Sequence, residues 1–279
     1  AWALLRVSKG KTPLLSKAVT NILDGLTGDN ADVRLAAARA VADPAMPEDV
    51  IGPAFRQAIE ILQADDPARI EPIVDALAAL GPKIVPACIR SLDEKRPLRY
   101  QALQVLTRVG PAAAPAVPSL EATLADANRE LRRETLFALG AIGPAAVKAT
   151  QKIVQQLNDT DPDVRHAACY ALGKNGPPAQ DALPALAKQL NSEDEFQRIA
   201  SVWASLKIAP HDAQLKQQAV PYLAKALSDV REHVRIEAAY MLGEMGDVAK
   251  EAIPALKQAT GDKSPAVRAA ATASLQQLQ

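Results

Sequence analysis

His166 and Cys169 stand three residues apart, a spacing that puts an imidazole and a thiol on one face of a helix, within reach of a shared metal ion. No further Cys or His lies close in sequence. The matching positions of neighbouring segments hold Leu103, Leu136 and Val202, so Cys169 reads as a small core residue and no metal is assigned. Cys88 falls on the apolar side of another helix and reads as an inert buried thiol. Phosphate loop, dinucleotide fingerprint and nucleophile elbow are all missing, and Gly140 and Gly143 read as parts of a helix stop. Carboxylates are numerous, yet no isolated pair stands apart from the repeating ones. Asn158-Asp159-Thr160 fits a glycosylation sequon by chance within a turn. No catalytic residue and no cofactor is assigned, and the chain reads as non-enzymatic.

The whole composition narrows the class further. The 279 residues are 48% apolar, 23% charged and only 3% aromatic, with 32 basic and 32 acidic side chains. That is too apolar for disorder and lacks the basic excess of a nucleic-acid binder. No apolar run is long enough to span a membrane, so no membrane insertion is expected. Two cysteines make no disulfide framework. The chain opens at Ala1 inside an apolar pattern and reads as a piece of a longer protein; the compartment stays open, with the cytoplasm favoured.

Internal similarity supplies the architecture. Arg34, Arg99, Arg132, Arg165, Arg198, Arg235 and Arg268 align; from Arg99 on the step is 33 residues except for 37 before Arg235, and between Arg34 and Arg99 lies a degenerate unit around Arg69 and Ile70. Upstream of each Arg, apolar residues recur with helical spacing, as in Val117/Leu120/Leu124 and Val220/Leu223/Leu227. Pro118, Pro184, Pro221 and Pro254 share one position and predict the first turn of this helix, A. Downstream, Leu131, Thr135, Leu139 and Ile142 mark helix B, which ends at Gly110, Gly143, Gly176 or Gly246. Asp161-Pro162 and Ser264-Pro265 predict N-caps of helix B. Small residues at Ala102, Ala138, Ala168, Ala171, Ala204 and Ala238 suit helices packed on three sides. A lone helix pair cannot bury its apolar stripe, so the pairs must stack. The fold class is therefore all-α, an α-solenoid of stacked antiparallel helix pairs. One array over 1–279 is expected, in units 1–10 (partial), 11–43, 44–82, 83–111, 112–144, 145–178, 179–210, 211–247 and 248–279. The stretch 44–82 is degenerate, with breaks at Asp43-Pro44, Met46-Pro47 and Asp66-Pro67.

Asp159 to Gly173 (D-x-D-P-D-V-R-x-A-A-x-x-A-L-G) and Ala182 to Leu186 (A-L-P-A-L) resemble the HEAT repeat, in the short form named after phycobilisome lyases. The resemblance implies a solenoid whose B helices line the concave surface. It also implies a framework role for Arg99, Arg132, Arg165, Arg198, Arg235 and Arg268 with Asp93, Asp126, Asp159, Asp229 and Asp262. These form a recurrent Arg–Asp column in the turns, in which Ser192 replaces Asp once and Asp29 is shifted. A peptide or anion clamp is the competing reading of that column.

Five residues after the Arg stand Gln104, Phe137, Tyr170, Trp203 and Tyr240, with Trp2 in the same place of the first unit. At 100° per residue this position points away from the core. Beside it run Tyr100, Arg108, Arg133, His166, Lys174 and Lys207, while Glu237 and Glu244 turn the surface acidic toward the C-terminus. A stripe of rings with a basic rim suits a protein or peptide partner carrying apolar anchors and some acidic residues. Packing of the rings between adjacent B helices is the alternative. A bilin lyase-like chromophore-handling protein and a nucleic-acid-binding HEAT-like protein of the alkylpurine DNA glycosylase type are the other functional readings that the resemblance allows. Zero net charge argues against the last.

Overall fold

The computed structural model describes scattered residues between 17 and 40, then residues 67–93 and 98–278. Trp2, Asp29, Arg34 and the breaks at Asp43-Pro44 and Met46-Pro47 lie outside the described residues, as does Asp66. Pro67 opens a regular helix, so the degenerate unit does end in a B helix. Among the described residues all regular structure is helical. No described helix is long and apolar enough to cross a membrane.

The chain divides into two compact units, Ala1–Gln156 and Leu157–Gln279. The first holds α1 (Pro67–Ala78), α2 (Val85–Leu92), α3 (Leu98–Val109), α4 (Val117–Thr123), α5 (Arg129–Ile142) and α6 (Thr150–Gln156). The second holds α7 (Pro162–Asn175), α8 (Leu183–Gln189), α9 (Glu195–Ile208), α10 (Ala213–Ala226), α11 (Glu232–Glu244), α12 (Ile253–Ala259) and α13 (Pro265–Gln277). Odd numbers are B helices and even numbers A helices. Each unit is a short α-solenoid in which A packs on B and B helices stack on one another: α3 on α1 and α5 in the first unit, α7 on α9 and α11 on α13 in the second.

Gly143 and Gly176 end α5 and α7 with φ of 69° and 63°, a conformation that costs a residue with a Cβ. Gly140 does not belong to that stop; it lies inside α5 and is buried. The turn after the stop is itself helical. Gly110–Ala116, Gly143–Ala149 and Gly246–Ala252 are 3-10 turns that lead straight into the A helix. A helices are therefore short α segments with Pro118, Pro184 and Pro254 in their first turns. Pro221 departs from this pattern. The four extra residues of the 37-residue step let α10 run as one α-helix capped by Asp212, with Pro221 in its interior. Asp161 and Ser264 cap α7 and α13, as their sequence position predicts. Asn128 and Asp194 do the same for α5 and α9.

The Arg column ties each turn together. The Arg132, Arg165, Arg198, Arg235 and Arg268 guanidiniums each donate to the backbone carbonyls six and five residues back, for example Arg235 to Asp229 and Val230 at 2.8 and 3.2 Å. The Asp126, Asp159, Asp229 and Asp262 carboxylates accept the N–H two residues on. Between repeats, Arg99 pairs with Asp126, and Arg235 makes a two-pronged pair with Asp262 at 2.8 and 3.0 Å. Ser192 can accept the Asp194 N–H but offers no carboxylate, so Arg165 turns instead to Asp194 at 3.0 Å. Asp229 is held by Arg231 two residues on, and Arg198 lies 4.0 Å from Glu195. Asp93 is exposed at the end of α2. These contacts hold the turns and join neighbouring repeats.

Candidate functional site

In the first unit Tyr100, Gln104 and Phe137 are half-buried on α3 and α5. Burial, with Glu134 alongside, raises the Tyr100 phenol above its ordinary pKa. The Arg108 guanidinium is paired with Glu71 and Asp75 of α1, and Arg133 lies 3.0 Å from Glu134. These two cations of the expected basic rim are already neutralised inside the unit.

The second unit brings its predicted residues together in a groove of about 310 Å³, lined by B helices alone. α7 supplies His166 and Tyr170, and α9 supplies Phe196, Ile199 and Trp203. α11 closes the far side with His233, Glu237 and Met241. The groove opens between α9 and α11, which do not close up as α7 and α9 do. The local sequence explains the gap. Where α7 and α11 carry Gly173 and Gly243, α9 carries Leu206; where α3, α5, α7 and α11 run into a glycine of positive φ, α9 ends at Ala209. Gly173 lets α9 approach until its Trp203 indole lies on the α7 backbone; a Cβ there would sit 2.2 Å from the ring. At this position α9 offers α11 no glycine and presents the buried Leu206 side chain instead.

Trp203 is the centre of the site. Its ring stacks parallel to Tyr170 with centroids 6.0 Å apart, and its Nε1–H donates to Glu237 Oε1 across the seam at 2.8 Å. Half-buried rings reconcile the two readings of the aromatic column: one edge packs between repeats while the other faces the groove. Tyr240 is 49% exposed. Lys174 lies over the Tyr170 ring at 5.7 Å. Lys207 pairs with Glu244 at 3.7 Å.

Phe196 stands between two imidazoles, edge-on to His166 at 4.3 Å and to His233 at 6.1 Å, with the Arg231 guanidinium over its face at 4.1 Å. Sequence reading passed over Phe196 and His233. Both stand two residues before the aligned Arg and line the groove between α9 and α11. Cys169 faces inward, with Gln197 and Ser201 against its sulfur, and burial pushes its thiol up to about 12. Cys88 is buried too and also pushed up to about 12. His166 turns away from Cys169 to Asp194 at 3.0 Å.

Burial depresses the His166 pKa below the ordinary imidazole value, and the opposing pull of Asp194 does not cancel it. The unfolded chain binds that proton near pH 6.5, before the folded one does. Stability is therefore full above about pH 6.5 and declines as pH falls below it. Urea unfolding at pH 7.5 and 5.5 should give the lower midpoint at 5.5. His166→Gln should shrink that difference; an unchanged difference assigns the effect elsewhere.

The family model for HEAT repeats matches residues 117–207, 150–229 and 208–276. The chain belongs to the HEAT-repeat family. No curated protein matches this HEAT-repeat chain by sequence. Among solved structures it resembles a designed armadillo repeat protein in complex with the peptide (KR)4, at 22% identity and TM-score 0.53, over 70% of this chain and 99% of the other. It also resembles the karyopherin Kap121p bound to the extreme C-terminus of the protein phosphatase Cdc14p, at 13% identity and TM-score 0.55 over 99% of this chain. The HEAT-repeat chain spans 40% of that karyopherin's length. At these identities the likeness is one of fold.

Proposed function

We propose that this HEAT-repeat protein is a non-enzymatic interaction scaffold that binds a protein or peptide segment in the groove between α9 and α11. The observation that carries the reading is an open seam walled by Tyr170, Phe196 and Trp203, in a chain whose other described rings are few. Aromatic walls around a partly desolvated pocket are the surroundings in which an apolar anchor side chain contributes most to affinity. Lys174 makes no ion pair among the described residues and sits at the Tyr170 end, where an acidic residue of the partner would meet it. Lys207 and Arg231 are matched by Glu244 and Asp229, which favours a protein over a nucleic-acid partner. The similar armadillo and karyopherin folds are described with bound peptide and protein segments, which supports the same use here. The two stacks are read as parts of one array.

The test blocks the groove without dismantling it. Ala200 lines the groove and is half-buried, so Ala200→Trp fills the space from one wall. Peptides selected from a displayed random library on the wild-type chain should carry an apolar anchor. They should bind Ala200→Trp at least tenfold more weakly, about 1.4 kcal/mol, with the melting temperature unchanged. Equal binding to both proteins would place the interaction elsewhere and sink the reading.

A further inference from the structure

Glu237 is the one formally charged side chain among the groove-lining residues at neutral pH. It is exposed, and it makes no ion pair among the described residues. Its Oε1 is fixed by the Trp203 indole N–H at 2.8 Å, so the carboxylate is held over the groove rather than swinging into water. One oxygen is thereby anchored, and the other is left to accept from a ligand. The rings nearby already take cations from the protein itself: Arg231 covers one face of Phe196, and Lys174 lies over Tyr170. A carboxylate beside exposed ring faces is the setting in which a Lys or Arg side chain gains both an ion pair and a cation–π contact.

Position along the helices adds a direction. Lys174 lies nine residues after the aligned Arg on α7, and Glu237 two residues after it on α11. They differ by seven helix positions, about 10 Å along the axes. Two B-helix spacings separate them laterally, about 20 Å, at the upper end of two packed spacings because α9 and α11 stand off. The unpaired cation and the unpaired carboxylate therefore stand at opposite corners of the groove, about 20 Å apart, which is the reach of about six extended residues.

The geometry points to Glu237 as a specificity-determining residue that selects a partner segment with a basic side chain about six residues from an acidic one, with an apolar anchor between them. This rests on the groove being the docking site. Acid at the Lys174 corner and base at the Glu237 corner align the segment diagonally across Trp203. Trp203 has two tasks in this arrangement: its ring forms the floor for the anchor, and its indole N–H aims the carboxylate.

Three heptapeptides on alanine spacers test it. Each has an N-terminal aspartate and a central leucine, with lysine, glutamine or glutamate at the C-terminus. Binding is read by NMR titration of the full chain. The lysine peptide should bind about fivefold more tightly than the glutamine peptide, and the glutamate peptide should be weakest. Glu237→Gln should erase the lysine preference, bringing the lysine and glutamine peptides to the same affinity. Glu237→Lys should invert the order of lysine and glutamate. Trp203→Phe keeps an aromatic floor but removes the indole donor, and should reduce the preference. Equal affinity of the three peptides for the wild-type chain overturns the role of Glu237 and leaves the docking groove standing. Binding by none of them, with Ala200→Trp also without effect on library peptides, overturns both.

Discussion

Gly173→Ala destabilises this chain, although the same change in an unencumbered helix interior stabilises it. Alanine is favoured over glycine within a helix by about 1 kcal/mol. At position 173 the new methyl would stand 2.2 Å from the Trp203 ring and within 3 Å of two further ring atoms. The indole is rigid, so it must swing out, giving up its stack on Tyr170 and its bond to Glu237. Inserting a methyl into a filled contact costs about 1–3 kcal/mol, and losing the hydrogen bond adds about 1 kcal/mol, so the steric cost wins over helix propensity. The expected net loss is about 1–3 kcal/mol by urea denaturation. The sign should reverse in a Trp203→Ala background, where Gly173→Ala becomes stabilising because nothing lies against the methyl. In a Trp2→Phe background the fluorescence of Trp203 should shift to the red with Gly173→Ala, reporting the ring's move into water. Stabilisation by Gly173→Ala in the wild-type background would mean that the indole does not rest on α7.

Arg235→Met is the second large effect, and Arg268→Met is its control. Arg235 is 4% exposed; it donates to the carbonyls of Asp229 and Val230 and pairs with Asp262 of the next repeat. Methionine keeps much of the stem volume but supplies no donor. The Asp229 and Val230 carbonyls then lose their charged donor, at a cost of about 1–3 kcal/mol. Asp262 is nearer the surface and can turn to water, so the lost ion pair adds less than its geometry suggests. Arg268 makes the same two carbonyl bonds, at 2.8 and 3.1 Å, but is exposed. Water replaces it there, and the expected change is within about 0.5 kcal/mol. Equal losses at both positions would show that the burial of Arg235 does not set the cost and that water fails to replace the guanidinium at Arg268.

The repeat itself is legible in the sequence because each unit carries its own local signals. Gly143 and Gly176 stop helices by a backbone conformation that needs no partner, and Asp161 and Ser264 cap helices within three residues of themselves. The buried alanines follow from periodicity alone: Ala138, Ala168 and Ala204 are fully buried. The 3-10 turns after each stop were less visible, since a proline at the start of a turn suits a 3-10 segment as well as the first turn of an α-helix. Pro221 marks the same ambiguity from the other side: its neighbours support an unbroken helix in α10, although the same position elsewhere begins one.

The pairing of the basic rim is hidden from the sequence for a different reason. Arg108 and Lys207 were legible as outward-facing, but their carboxylate partners lie 33 to 37 residues away, whereas Arg133 meets its immediate neighbour Glu134. Charge patterning along one helix says nothing about what another helix brings beside it. The groove was half legible. Tyr170 and Trp203 announce it by their shared position, whereas Phe196 and His233 enter only because α11 stands off from α9.

By itself the sequence determined the all-helical class, the repeat period, the helix ends and the small-residue core, because these depend on interactions within a unit or between identical positions of neighbouring units. Tertiary structure alone decided which seam stays open, which charges remain unpaired beside it, and that Trp203 both seats on Gly173 and aims Glu237. Those outcomes turn on how closely two backbones approach, and that distance is set by side chains from two helices at once.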